Sequence, residues 1–180
     1  MKQVKGSMVR LVVTAIRANK TGAYNQILSE KAKELVFQSV VDPVWYPFEL
    51  YKECFNAECQ VDAKNDPKVI VQWGRNRGEE LVTALYRHTV RDANLKTALD
   101  SYTRFHRSVF NFGEVEGTIV SDHEIQISYN NFDPEWVNFF YLATGWQQEF
   151  FQLCVGKTIT YRILKRPMKG ADATQISLSW

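Results

Sequence analysis

Asp100-Ser101-Tyr102-Thr103-Arg104-Phe105-His106-Arg107-Ser108-Val109-Phe110 is the stretch on which the fold turns. Before it, apolar residues recur at helical spacing. After Phe112-Gly113 they alternate. The spacing predicts a helix over 92–107, because Leu95, Leu99, Tyr102 and His106 fall at steps of four, three and four and share one face. His106 is one of three histidines, with His88 and His123. It lies on or beside the buried stripe. Two readings are open there: a core or rim histidine that keeps a hydrogen bond, and a metal ligand. The pattern by itself favours the first.

Upstream, residues 6–18 place Val9, Val12, Val13 and Ile16 on one helical face, with Gly6-Ser7 offering a start cap. Thr21-Gly22 breaks the chain, and a second helix is expected over 23–39. Pro43 and Pro47 push their predecessors out of the α region, which puts Trp45 and Tyr46 on a turn. Pro47 then suits the first position of a helix over 47–58. Asp66-Pro67 opens a helix over 67–73, and another is expected over 79–90. Between them, Gly74-Arg75-Asn76-Arg77-Gly78 has the composition of a phosphate cradle. It lacks the Lys-Ser/Thr of a P-loop and no strand precedes it, so a helix break with solvated arginines is the better reading.

Downstream, Val115, Gly117 and Ile119 alternate, as do Ile125, Ile127 and Tyr129. This predicts a β-hairpin with His123 in its turn. Phe132-Asp133-Pro134-Glu135 is a helix-start signal for a helix over 134–155. That helix is apolar nearly all round and should be central, with Gly145 allowing close approach and Gly156 as C-cap. Strands are expected over 158–164 and 174–180, joined by a turn at 166–170. The expected fold class is α+β: a helical first part, then four antiparallel strands in two hairpins with a long apolar helix between them. One domain over 1–180 is expected, since no repeat or linker divides the chain.

Composition narrows the function classes. The chain is 45% hydrophobic and 13% aromatic, which predicts a packed globule. Its net charge of +2 gives no footprint for nucleic acid or an anionic membrane. No apolar run is long enough to span a bilayer, and Arg17 interrupts the short run Leu11–Ile16, so a cytoplasmic protein is the default. Cys54, Cys59 and Cys154 are an odd set without redox or zinc spacing, and read as reduced, semi-buried thiols. No HExxH, nucleophile elbow, Walker motif or dinucleotide fingerprint is present, and Glu79-Glu80 and Glu114/Glu116 read as solvated surface. A catalyst is the less favoured class.

The whole chain resembles the haem nitric-oxide/oxygen-binding (H-NOX) superfamily, which includes domains of the 4-vinyl reductase type. Within it, the chain resembles a haem-NO-binding-like bacterial branch of myxobacterial type. The resemblance rests on Val4-Lys5-Gly6-Ser7-Met8-Val9, on the helical first half followed by helix–hairpin–helix–hairpin, and on Trp45-Tyr46-Pro47. In haem-binding members a Leu-x-x-Leu-His type segment supplies the iron ligand. Leu99–His106 stands in that place, so the resemblance implies His106 as that ligand. Those members also hold the haem propionates with Tyr-x-Ser-x-Arg. The equivalent stretch here keeps Tyr129, but has Asn131 for the serine and Asp133 for the arginine. A carboxylate at the third position repels propionates. The family's haem-pressing proline is absent too, and the interval from His106 to Tyr129 is shorter than in haem members.

The resemblance implies a non-catalytic sensory or regulatory domain, lacking a standard haem site, that binds a small molecule or a signalling protein and neither nucleic acid nor membrane. The candidate pocket residues are Tyr102, His106, Tyr129, Asn131, Trp136 and Phe140. No cofactor is expected. The alternative is a haem-based sensor of NO or O2 that uses His106, and a further alternative is an enzyme component related to 4-vinyl reductases.

Overall fold

The computed structural model describes residues 1–85, 94–133, 135–165 and 173–180. The expected helix over 79–90 lies partly outside them. His88, Pro134 and the expected turn at 166–170 lie wholly outside. The chain forms two compact units, one of Met1–Asp66 with Arg107–Phe112, the other of Pro67–His106 with Gly113–Trp180.

The first unit holds β1 (Gln3–Lys5), α1 (Gly6–Ala18), a 3-10 turn (Ala23–Gln26), α2 (Glu30–Phe37), β2 (Trp45–Pro47) and α3 (Phe48–Val61). Helix α1 buries Val9, Val12, Val13 and Ile16 as its spacing requires. Its start differs from expectation. Lys5 is the N-cap and no side chain caps the helix. The first amides are satisfied instead by a loop: Gly6 N donates to Val44 O at 2.8 Å and Ser7 N to Asp42 O at 3.3 Å. A Cβ at Gly6 would lie 2.0 Å from Val41 O, so glycine is what lets that loop approach.

The helix expected over 23–39 is two pieces. The 3-10 turn ends at Gln26, and α2 starts afresh from Ser29, whose side chain accepts from Ala32 N. Trp45 and Tyr46 are not on a turn. They pair antiparallel with β1 in the register Lys5↔Trp45 and Val4↔Tyr46. The Lys5 ammonium lies 4.2 Å from the Trp45 ring centroid. Pro47 ends this two-stranded ribbon and is the N-cap of α3 rather than its first residue.

The second unit holds α4 (Pro67–Leu85), most of α5 (Leu95–Val109), β3 (Glu114–Ser121), β4 (Glu124–Asn130), α6 (Val137–Val155), β5 (Thr160–Lys165) and β6 (Ala173–Ser179). The four strands form one antiparallel sheet in the order β3-β4-β6-β5. Val115, Ile125, Ile127, Tyr129, Ile176 and Leu178 are buried along it with period two. Helix α5 packs against β3 through Leu99: a Cβ at Gly117 would meet Leu99 Cδ2 at 2.5 Å.

The break expected at Gly74–Gly78 does not occur. Helix α4 runs straight through. A Cβ at Gly74 would lie 2.1 Å from Leu142 O, and one at Gly145 would lie 1.9 Å from Val71 O. The two helices therefore touch backbone to backbone. The cost of glycine inside a helix, about 1 kcal/mol each, is offset by this contact. Arg75 turns to Gln148, its Nε donating to Oε1 at 3.2 Å, and the Arg77 guanidinium lies over Trp73.

Helix α6 also starts later than its signal. Asp133 accepts from Glu135 N through Oδ1 and from Trp136 N through its carbonyl, which makes a turn, and the helix begins at Val137. Gly156 is its left-handed C-cap, with φ 65°. The thiols of Cys54 and Cys59 are fully buried rather than half-buried.

Gly145→Ala is expected to destabilise the protein by about 3 kcal/mol or more, since no side chain can yield to a backbone oxygen at 1.9 Å. Gly156→Ala, where the strain is conformational and the space open, is expected to cost about 1 kcal/mol. Urea unfolding of both variants checks this. Equal losses would mean that the helix contact is not as close as described.

Candidate functional site

Three elements of the second unit converge on one buried polar cluster. Leu99, Tyr102 and His106 lie on the buried stripe of α5. Tyr129 ends the run of inward residues on β4, after Ile125 and Ile127. Gln147 comes from α6 and has no exposed surface. The hydroxyls of Tyr102 and Tyr129 hydrogen-bond each other. Gln147 Nε2 donates to both, at 2.9 Å to Tyr102 Oη and 2.8 Å to Tyr129 Oη.

Aromatic rings enclose this cluster. Trp146, Phe151 and Phe150 lie 5.3, 5.8 and 6.0 Å by centroid from Tyr102, and Phe150 in turn meets Trp146 at 5.2 Å and Phe151 at 5.0 Å. Phe139 and Phe140 meet Tyr129 edge-on at 5.8 and 5.6 Å. His106 is 4% exposed, and its ring meets Phe132 at 5.3 Å and Tyr129 at 5.8 Å, both edge-on.

The pocket residues expected from sequence thus separate. Tyr102, His106, Tyr129 and Phe140 come together. Trp136 joins at one remove, stacked on Phe139 at 4.7 Å. Asn131 does not join: it is exposed, in a left-handed turn with φ 52°. Gln147 was not legible as a site residue. Its signal is a pair of amides, Gln147-Gln148, flanked by Trp146 and by Phe150-Phe151 in a mostly apolar helix.

The cluster's hydrogen count does not close. The Gln147 amide has two N–H groups, and each hydroxyl has one hydrogen. Both amide hydrogens and one hydroxyl hydrogen are used. One hydroxyl hydrogen is left over, and Gln147 Oε1 has no hydrogen-bond partner among the described residues. Turning the amide over moves the shortfall to its NH2 and does not remove it. An unmet buried polar group costs about 1–3 kcal/mol. Thr174, directly across from Tyr129 on β6, also has a buried Oγ1 with no partner among the described residues.

Burial pushes the Tyr102 phenol up to about 12, against the lowering effect of its bonds to Tyr129 and Gln147. Burial, then Tyr102, raises Tyr129 well above its ordinary value. Both are neutral at physiological pH, so the cluster offers hydrogen bonds and no charge. Burial also pushes the thiols of Cys54 and Cys154 up to about 12, away from the range of a nucleophile.

The H-NOX resemblance implies that Tyr129, Asn131 and Asp133 stand where haem propionates would be held. Tyr129 spends its hydroxyl inside the cluster, Asn131 is exposed, and Asp133 is an acid whose Oδ1 accepts from Glu135 N. As placed, these side chains form no clamp for two carboxylates. His106 lies on the buried face of α5. No group of three or more His, Cys, Asp or Glu that could hold a metal ion occurs among the described residues, and no helix there is long and apolar enough to cross a membrane.

Tyr102→Phe and Tyr129→Phe are each expected to cost about 1–2 kcal/mol, and the double variant less than their sum, because each single change strands the other hydroxyl. Neutral phenols are favoured in the fold, so their contribution is full below pH about 10 and lost as the pH rises through the folded value. For Tyr102 that value is about 12. Urea unfolding from about pH 9 to about pH 12 should show the loss, and the double variant should flatten part of it. Tyr24, raised by burial and by Asp62, and the buried thiols of Cys54 and Cys154 contribute to what is left.

No family model matches the chain, and no curated protein matches it. Solved structures do. The chain is similar to an oxygen-binding H-NOX domain related to soluble guanylate cyclases, at 12% identity over 97% of this chain and 94% of that one, with a TM-score of 0.61. It is similar to a mutant of the T. tengcongensis H-NOX, at 11% identity over 97% and 96%, with a TM-score of 0.64. It is also similar to a protein solved to show how porphyrin distortion modulates haem redox potential, at 13% identity over 98% and 99%, with a TM-score of 0.62. At these identities the likeness is one of architecture, and the chain has an H-NOX-like α+β fold.

Proposed function

We propose that this chain is a single H-NOX-like domain with a non-catalytic sensory or regulatory role, which recognises a small neutral molecule at the Tyr102–Tyr129–Gln147 cluster and does not hold haem in the standard way. The observation that carries this is the cluster's unfilled hydrogen-bond capacity inside an aromatic wall. A molecule with one donor and one acceptor completes it. The neutral phenols disfavour an anion, and the apolar surroundings disfavour any charge. The tyrosine of the haem motif serves this cluster, which supports a ligand other than haem. A signalling protein that reads the ligand state is the partner this role implies.

The alternative is a haem-based sensor of a diatomic gas with His106 on the iron. Its support is the buried place of His106 on α5 together with the likeness to an oxygen-binding H-NOX domain.

The test is a visible spectrum of protein expressed with haem precursor, followed by titration with haemin. A colourless protein that takes up no haemin is the expected outcome. A Soret band that His106→Ala abolishes would establish the alternative and overturn the proposal. Native mass spectrometry of the colourless protein should then show a retained small molecule that Gln147→Leu releases.

A further inference from the structure

The first unit carries a feature unrelated to that cluster. A cleft of about 400 Å3 lies between the end of α1, the 3-10 turn and α2. That is the size of a small-molecule site. Its floor is apolar, formed by the buried side chains of Ile16, Leu28 and Val36. At its edge Phe37 is 79% exposed, a large ring left in solvent at the last position of a helix.

Three cations line the cleft, Arg17, Lys20 and Lys33, and no acidic residue does. Arg17 donates from Nε to Val36 O and from one terminal nitrogen to Gln38 O, both at 2.6 Å. These acceptors are carbonyls at the end of α2. They fix the guanidinium in place, and its charge has no carboxylate partner among the described residues. Two of its five N–H donors are used this way, which leaves three to offer. Lys20 Nζ donates to Arg17 O at 2.7 Å, again a carbonyl. Lys33 is paired with Glu30 at 2.8 Å on α2. The carboxylate of Asp62 is held by Tyr24 Oη at 2.6 Å and Asn19 Nδ2 at 2.9 Å, so it is engaged by neutral donors rather than by the cations.

We propose that this cleft binds a small amphiphilic anion, with a carboxylate, sulfonate or phosphate head on an apolar body. The head sits by Arg17 and Lys20, and the body covers Ile16, Leu28 and Val36 beneath Phe37. The preset guanidinium lowers the ordering cost of binding. The charge pattern selects an anion over an alcohol of the same length.

Calorimetric titration of the full chain with octanoate, octan-1-ol and octylammonium tests this, read together with amide chemical shifts. Octanoate is expected to bind at least about tenfold more tightly than octanol, an increment typical of one charge-assisted contact, and octylammonium not at all. Shifts should centre on residues 16–37. The surface variant Lys20→Glu/Lys33→Glu is expected to lose about tenfold or more in octanoate affinity. Phe37→Ser should weaken both octanoate and octanol. His106→Ala and Gln147→Leu should leave octanoate binding unchanged, which separates this site from the cluster of the second unit. Equal affinity for octanoate and octanol, full binding by the charge-reversed variant, or no binding at millimolar octanoate would each overturn the proposal.

Discussion

The contact on which the second unit depends is the meeting of α4 and α6 through Gly74 and Gly145. Neither position has room for one more carbon atom, because main-chain oxygens fill the space. This fixes the rotation of α6 about its axis. Gln147 lies two residues beyond Gly145, about 200° round the helix. With Gly145 held against α4, Gln147 must point to the opposite side, where Tyr102 and Tyr129 wait. A helix clamped between a helix and an aromatic cluster leaves only a narrow face for water, marked by Asn138, Tyr141, Glu149, Gln152 and Leu153. That is why its inward positions are so apolar, and why the buried amides of Gln147 and Gln148 are there for a reason other than solubility.

Burying that amide changes the meaning of the tyrosines. A phenol beside solvent is a general-purpose hydrogen-bonding group. A phenol sealed among Trp146, Phe150 and Phe151, with its ionisation pushed up to about 12, is a fixed neutral dipole. Such groups recognise by geometry rather than by charge, since an anion there would lose its hydration and gain no cation. The same burial engages the Tyr129 hydroxyl with Tyr102 and Gln147. Asn131 and Asp133 follow on a turn with other tasks, one exposed and the other closing the approach to α6.

Periodicity made most of the fold legible. The four strands, α1 and the central helix follow from alternation or from helical spacing, which report burial directly. Where reading failed, a residue had two physical uses and the local one was assumed. Glycines at 74 and 78 end helices when exposed and admit neighbours when buried, and the partner at Gly145 is seventy residues away in sequence. Trp45 and Tyr46 beside prolines look like a turn, yet they pair with β1, which lies some forty residues earlier. Ser29 stops the second helix from continuing back to residue 23, a cap hidden inside an otherwise regular pattern. Each miss is a long-range contact, or a cap, overriding local propensity.

The site was half legible for a related reason. Tyr102, His106 and Tyr129 stand out by type and position, whereas Gln147 is identified by its surroundings. A glutamine is ordinary on a surface and costly in a core, so its information lies in the burial of the helix face it occupies. The histidine taught the reverse lesson. His106 is rare in composition and well placed on its helix, but Phe132 and Tyr129 both meet its ring edge-on, an aromatic packing that a core histidine can satisfy without iron. The chemically conspicuous residue is therefore consistent with two functions. The inconspicuous amide, with its unmet oxygen, is the group whose burial the packing alone does not explain.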